Sequence, residues 1–89
     1  MPTVAFTPAL RRFLRVPDAR VEGATVGEAL ACVFAEHPAL RGYVLDDQGA
    51  VRRHVAVYVN GALICDRVHL SDPLGPDDEI YVFQALTGG

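Results

Sequence analysis

Apolar and polar residues alternate most regularly just past the middle of the chain. From His54 to Val59 every second residue is a valine, and the residues between these valines are Ala56 and Tyr58. A period of two is typical of a β-strand with one buried face. Asn60-Gly61 follows at once and favours a two-residue hairpin turn, because both residues tolerate the positive φ that such a turn requires. The pattern therefore predicts a hairpin whose second strand runs from Ala62 to Ile64.

The same alternation returns near the end of the chain, over Glu79 to Leu86. Ile80 and Val82 share one face of this segment, and Tyr81 and Phe83 share the other. The aliphatic face suits burial against a helix, since branched aliphatic side chains are among the residues most often buried. We therefore expect a last strand whose aromatic side chains lie on the outer face of a sheet.

A helix is predicted after Thr25. Thr25 and Glu28 have the spacing of a capping box, in which both side chains accept hydrogen bonds from backbone N–H groups at the helix start. Pro38 predicts the end of the helix after His37, because proline lacks the N–H group that a helix interior needs. The apolar residues that share one face at helical spacing are Val26, Ala29, Leu30, Val33 and Phe34. This face is expected to be buried.

Shorter signals complete the order of elements. Strands are predicted at Thr3 to Thr7 and at Ala19 to Glu22, and an irregular crossover at Leu40 to Leu45. Asp46 to Gly49 is typical of a turn. Asp66 to Asp78 holds two prolines, which favours a loop with one helical turn. The resulting order predicts an α+β domain over residues 1–85, with one main helix across a mixed sheet, followed by a flexible tail over residues 86–89.

Composition narrows the classes of function. The chain has 89 residues, 51% of them hydrophobic, and a net charge of −3, which argues against nucleic acid as the main partner. It shows no signal peptide and no apolar run long enough to cross a bilayer, so we expect a cytoplasmic protein that does not contact the membrane. Cys32 and Cys65 lack the spacing of a metal or redox motif and are expected to be reduced, small packing residues.

The charged residues give no sign of a metal site. The three histidines, His37, His54 and His69, are scattered without ligand spacing. All eight basic residues are arginine, which fits either arginine-rich codon usage or the protection of an activated carboxyl group from attack by amines. Several arginines form either a patch that contacts a partner or charges that keep a small domain soluble. These are Arg11, Arg12, Arg15, Arg52 and Arg53.

The end of the chain, Leu86-Thr87-Gly88-Gly89, is the strongest candidate for chemistry. Two terminal glycines arise by chance in about one chain in two hundred. A terminal carboxyl group, with a pKa of about 3.3–3.7, is ionised at pH 7 and reacts with nucleophiles only after activation. Glycines allow such a tail to enter a narrow channel in another enzyme, because they have no side chain and few backbone restrictions. No general base of the chain's own is evident, so we expect it to be a substrate rather than an enzyme.

Several segments together resemble the MoaD/ThiS family of sulfur carriers. They are Val57 to Gly61, Leu74 to Ile80, Phe83, the Gly88-Gly89 end and the helix capped at Thr25. The resemblance covers nearly the whole chain. It implies a β-grasp (ubiquitin-like) fold with a mixed four- to five-stranded sheet. The segment from Asp46 to Arg53 is similar to the CysO subgroup, whereas the ending Leu86-Thr87-Gly88-Gly89 is closer to the small subunit of molybdopterin synthase.

The resemblance also implies a role for individual residues. Gly89 would carry first an adenylate and then a thiocarboxylate, with Gly88 beside it. ATP would be used by a partner adenylyltransferase of the E1-like MoeB/ThiF type, and no cofactor would be held stably. The sulfur would pass to a synthase, either a cysteine synthase or the large subunit of molybdopterin synthase. The resemblance also implies that Phe83 docks on the partner. The outer sheet face adds Tyr81 and Tyr58 to the expected partner contacts, and the tail adds Leu86 and Thr87.

Two other functions fit the same residues. A ubiquitin-like modifier would be joined through its C-terminus to lysines of other proteins. A β-grasp interaction module would bind partners through its sheet, and its terminal glycines would be incidental. An independent enzyme is disfavoured, because no nucleophile and base are paired by a recognisable motif.

Overall fold

A mixed sheet with an aliphatic inner face forms the body of the fold. The computed structural model describes residues 1–6 and 18–84. Within these residues, five strands lie in the order β2-β1-β5-β3-β4 across the sheet. Their bounds are β1 Thr3–Phe6, β2 Asp18–Arg20, β3 Val55–Val59, β4 Ala62–Leu63 and β5 Glu79–Gln84.

The central strand of the sheet is β5, which runs parallel to β1 and antiparallel to β3. The outer pairs, β1 with β2 and β3 with β4, are antiparallel. The mixed sheet and the alternation along β5 are confirmed, since Ile80 is 1% exposed and Val82 is 0% exposed. β2 ends at Arg20, earlier than predicted. After it the Val21 side chain joins the core, although the Val21 N–H still donates to the carbonyl oxygen of Pro2.

The predicted hairpin turn is confirmed by its backbone. Asn60 has φ 51° and Gly61 has φ 85°. Positive φ at both central residues matches the twist of the flanking strands, and glycine reaches it without a steric penalty. The two-residue turn places Tyr58 opposite Leu63.

Helix α1 (Val26–Glu36) begins as predicted. The Thr25 hydroxyl oxygen accepts a hydrogen bond from the Glu28 N–H at 3.2 Å, and Glu28 Oε1 accepts one from the Ala24 N–H at 2.9 Å. Two further N–H groups of the first turn reach the loop that precedes β5. Val26 donates to the carbonyl oxygen of Asp72, and Gly27 to that of Leu70. The start of α1 is therefore bonded to a loop distant in sequence.

The predicted irregular crossover at Leu40 to Leu45 is wrong, because a second helix, α2, spans Pro38–Val44. Pro38 ends α1, yet its fixed φ suits the first position of a new helix. Leu40 and Val44, four residues apart, are both 0% exposed, so α2 buries one face as α1 does. The same proline thus separates two helices. Neither helix in the described residues is long and apolar enough to cross a membrane.

The loop between β4 and β5 is shaped by the Asp66 carboxylate. It accepts hydrogen bonds from the N–H groups of Val68 and His69 and from the Ser71 hydroxyl. One helical turn is present, closed by the Leu70 N–H on the Asp66 carbonyl oxygen at 3.1 Å. Leu70 adopts a left-handed φ of 54° while its side chain is buried. This conformation, unusual for leucine, orients the Leu70 carbonyl toward the start of α1.

Both cysteines are exposed, so the prediction that they are small apolar packing residues is wrong. Cys32 lies outside the apolar face of α1, and its thiol donates to the carbonyl oxygen of Glu22 at 3.2 Å. Cys65 follows Ile64, which points inward and is 5% exposed, so the alternation of the chain places Cys65 outside.

Candidate partner-docking site

The outer face of the sheet carries a row of apolar side chains across four strands. Strand register places Tyr81 of β5 opposite Ala5 of β1 on one side and opposite Tyr58 of β3 on the other. Tyr58 in turn lies opposite Leu63 of β4. We call these four residues the outer row. Since neighbouring strands lie about 4.8 Å apart, the row is about 14 Å long.

Phe83 extends the outer row into a patch. It lies two residues beyond Tyr81 on the same face of β5 and opposite Ala56 of β3. The exposed fractions are 45% for Phe83, 37% for Tyr81 and 53% for Leu63. Tyr58 is partly buried between its neighbours. The prediction that both aromatic residues of β5 point outward is therefore confirmed. Neighbouring apolar groups at a surface are a feature of protein-binding sites.

Leu63 was missed as a candidate docking residue, although the sequence contained the signal. A two-residue Asn60-Gly61 turn fixes the register of its hairpin, so Tyr58 must pair with Leu63. Because Tyr58 points away from the core, Leu63 must do so too. The structure makes this pair part of the outer row.

Asn60 ties the hairpin to the start of β5. Its side-chain amide donates to Asp78 Oδ1 at 2.9 Å, and its side-chain oxygen accepts from the Glu79 N–H at 2.9 Å. Asp78 Oδ2 accepts from the Gly75 N–H at 2.8 Å. The Gly75 N–H, and after it the Asn60 amide, hold the pKa of Asp78 below its usual value. These bonds fix β3 against β5 and so hold Tyr58 opposite Tyr81.

The predicted tail residues, Leu86, Thr87, Gly88 and Gly89, lie outside the described residues. Their expected roles as carrier group and partner contacts stay predictions. The last described residue, Gln84, pairs with Val55 at the start of β3. Gln84 therefore lies at the end of the sheet where β3 begins, and residues 85–89 follow it in sequence.

Of the predicted site residues, the structure brings together three, Phe83, Tyr81 and Tyr58. Arg52, Arg53 and His54 also meet, and with Asp46 they line a shallow depression of ≈ 260 Å³. Arg11, Arg12 and Arg15 lie outside the described residues, so the predicted larger basic patch is not tested. In residues 1–6 and 18–84, no group of three His, Cys, Asp or Glu side chains is placed to bind a metal ion.

Comparison with known proteins identifies relatives in sequence. The model of the ThiS family matches residues 11–89. Small archaeal modifier protein 1 of Haloferax volcanii is 35% identical over 66 residues, which cover 74% of this chain and 71% of that protein. Small archaeal modifier protein 3 of the same organism is 34% identical over 68 residues, with 76% and 73% covered.

Solved structures share the fold. The crystal structure of SAMP1 from Haloferax volcanii superposes with a TM-score of 0.84 and 28% identity, covering 99% of this chain and 98% of that one. A chain of the Amycolatopsis orientalis BexX/CysO complex gives a TM-score of 0.87 at 23% identity, with 100% of both chains covered. Mycobacterium tuberculosis CysO gives a TM-score of 0.84 at 20% identity, with 97% of this chain and 100% of that one covered. The predicted β-grasp fold is confirmed.

Proposed function

Because this chain belongs to the ThiS family of small ubiquitin-like carriers and modifiers, we propose that it is a sulfur carrier whose Gly89 carboxylate is adenylated and then converted to a thiocarboxylate. One observation supports this most strongly. Gly88-Gly89 lies a few residues beyond Phe83, and Phe83 continues an exposed apolar patch on the outer sheet face. A partner that binds this patch has the tail within reach of its own active site.

The proposed reaction takes place on the partner. An oxygen of the Gly89 carboxylate attacks the α-phosphate of ATP, and the bond to pyrophosphate breaks. This gives an acyl-adenylate, whose AMP is a good leaving group. Sulfide then attacks the acyl carbon, the C–O bond to AMP breaks, and a thiocarboxylate remains on Gly89. The carrier supplies the acyl group and the docking surface, and the partner supplies catalysis.

The proposed partners are an E1-like adenylyltransferase of the MoeB/ThiF type and a sulfur-accepting synthase. The synthase is a cysteine synthase or the large subunit of molybdopterin synthase. The solved complex of CysO with BexX, a neighbour in fold, is consistent with a carrier that acts bound to another protein. The outer row and Phe83 are the proposed contact surface for both partners.

A second function, protein modification, is favoured by the names of two relatives in sequence. Two proteins that are 35% and 34% identical to this chain are called small archaeal modifier proteins. Adenylation of the same carboxylate would precede its transfer to an amine. Because the chain contains no lysine, its lysine-linked conjugates would join its C-terminus to other proteins. Isolation of stable, amide-linked conjugates from cells would favour this function.

Adenylation is tested by isotope exchange between pyrophosphate and ATP, catalysed by the purified adenylyltransferase. We expect exchange to depend on the carrier and to be lost when Gly89 is deleted. Gly42→Ala is a suitable control, because a Cβ at position 42 would meet no heavy atom of the described residues within 4 Å, apart from its chain neighbours and the backbone of its own helix. Its folding and its exchange should match those of the wild type. Full exchange with the chain that lacks Gly89 would refute the proposed carrier role.

A further inference from the structure

A hydrogen-bonded β-turn precedes β3 and presents the side chains of an arginine and a histidine. The Val55 N–H donates to the Arg52 carbonyl oxygen at 3.0 Å, so Arg53 and His54 are the central residues of the turn. Arg53 is exposed and His54 partly exposed. The Arg52 N–H also donates to the carbonyl oxygen of Val44, which joins the turn to the end of α2.

Arg67 holds this turn from the neighbouring loop. Its Nη2 atom donates to the carbonyl oxygens of Arg52, at 2.6 Å, and of Val55, at 2.7 Å. These are the two residues at the ends of the turn. Hydrogen bonds from a charged donor are stronger than those between neutral groups. The turn is therefore fixed at both ends, and little ordering is needed when Arg53 binds another group.

The turn concentrates positive charge on a chain whose net charge is −3. Among the described residues, Arg53 has no hydrogen-bond or ion-pair partner, and Arg52 uses its Nε to bond the Gly42 carbonyl oxygen at 2.8 Å. Asp46 is the carboxylate that lines the same depression. Its Oδ1 already accepts from the N–H groups of Gln48 and Ala50. Within residues 1–6 and 18–84 the charge of Arg53 is therefore unpaired, and it can bind an external anion.

The position of the turn indicates what that anion belongs to. Val55, the last residue of the turn, pairs with Gln84, and residues 85–89 follow Gln84 in sequence. Five residues span at most about 17 Å when fully extended. A partner that receives Gly89 in a closed site must therefore bring the entrance of its channel against this end of the sheet. Arg53 lies at this same end, two residues before Val55.

We propose that Arg53, supported by Arg52 and His54, binds an acidic rim around the channel through which the adenylyltransferase receives the tail. The inference rests on the proposed carrier function and adds the chemistry of the partner's surface. Opposite charges around a docking site accelerate encounter and fix its orientation more than they change the chemical step. We therefore expect loss of the Arg53 charge to change the KM for the carrier, and this change to depend on salt concentration.

The test is Arg53→Glu in the pyrophosphate exchange assay with the same adenylyltransferase. The matched control is Arg20→Glu. Arg20 is exposed and pairs with Thr3, which lies beside Glu79 at the opposite end of β5 from Gln84. Both substitutions change the net charge equally. We expect Arg53→Glu to raise the KM for the carrier roughly tenfold at low salt, with kcat unchanged, and Arg20→Glu to leave both constants unchanged.

High salt provides a second measurement. Because ions screen exposed charges, the KM difference between wild type and Arg53→Glu should shrink as salt rises. Equal KM values for wild type and Arg53→Glu at low salt would overturn the proposal while leaving the carrier function intact. An equal rise with Arg20→Glu would also overturn it, because net charge alone would explain the effect. Absence of exchange with the wild type would refute the carrier function and this inference with it.

Discussion

Replacing Phe83 by alanine tests the outer sheet face as the docking surface. A phenylalanine side chain contributes about 200 Å² of surface, and 45% of it, about 90 Å², is exposed here. If a partner covers this area, the loss at about 25 cal/mol per Å² is about 2 kcal/mol. That corresponds to a dissociation constant roughly 30-fold larger.

The assay is isothermal titration of the adenylyltransferase with wild-type carrier and with Phe83→Ala. Tyr43→Ala is the matched control, because Tyr43 is an aromatic residue of α2 with a similar exposed fraction, 40%. The buried part of the Phe83 ring contributes to folding, so every titration is made well below the unfolding temperature of each variant. We expect weaker binding for Phe83→Ala alone. Unchanged binding of a folded Phe83→Ala variant would refute the assignment of this face.

Three further predictions concern the outer row, the start of α1 and the loop before β5. Leu63→Ala should weaken the same binding by about 1–2 kcal/mol because the leucine is exposed on the outer row; normal affinity would exclude β4 from the interface. Thr25→Ala removes the capping hydroxyl and should lower the free energy of unfolding by about 1 kcal/mol. Differential scanning calorimetry should show this as a fall of roughly 4–8 °C in Tm. Thr25→Ser keeps a hydroxyl and should retain most of the wild-type stability. The His69 N–H, followed by the Ser71 hydroxyl, lowers the pKa of Asp66 from 3.8 to about 2. Its folded-state pKa is therefore below the unfolded value, so its stabilisation is complete above pH 4 and is lost as pH falls toward 2. Asp66→Asn should unfold more readily at neutral pH and show a smaller fall in stability between pH 4 and 2; an unchanged acid profile would contradict this.

The sequence predicted the elements in which local pattern and tertiary packing agree. The valine alternation of β3 and the Asn60-Gly61 turn each depend on neighbouring residues alone, and both were confirmed. The capping box of α1 has the same local character. Alternation along β5 was sufficient to predict that Tyr81 and Phe83 point outward, because one face of the sheet is covered by helices.

Features that depend on distant parts of the chain were harder to predict. Pro38 predicts the end of a helix, although its fixed φ also allows a helix to start. The seven residues of α2 are too few for a clear helical periodicity. The Arg67 bonds to the turn at Arg52 join residues 15 and 12 positions apart. No periodicity indicates such a contact. The left-handed conformation of Leu70 is likewise imposed by its tertiary surroundings, since leucine does not favour positive φ.

The candidate site also has one part that local sequence predicts and one part that depends on distant contacts. The docking face followed from strand alternation, and the addition of Leu63 needed only the hairpin register. The grouping of Arg52, Arg53 and His54 beside the end of β5 required the pairing of Val55 with Gln84. That pairing joins β3 to β5, which are separated in sequence by the hairpin turn, β4 and the loop after it. It therefore depends on topology rather than on local sequence.

The most direct test of the carrier function is the intact mass of the protein after reaction with its adenylyltransferase, ATP and sulfide. We predict that one oxygen is replaced by sulfur and that fragmentation places the change at Gly89. The chain that lacks Gly89 should keep its original mass. An unchanged wild-type mass, under conditions where pyrophosphate exchange proves that the adenylate forms, would contradict the account.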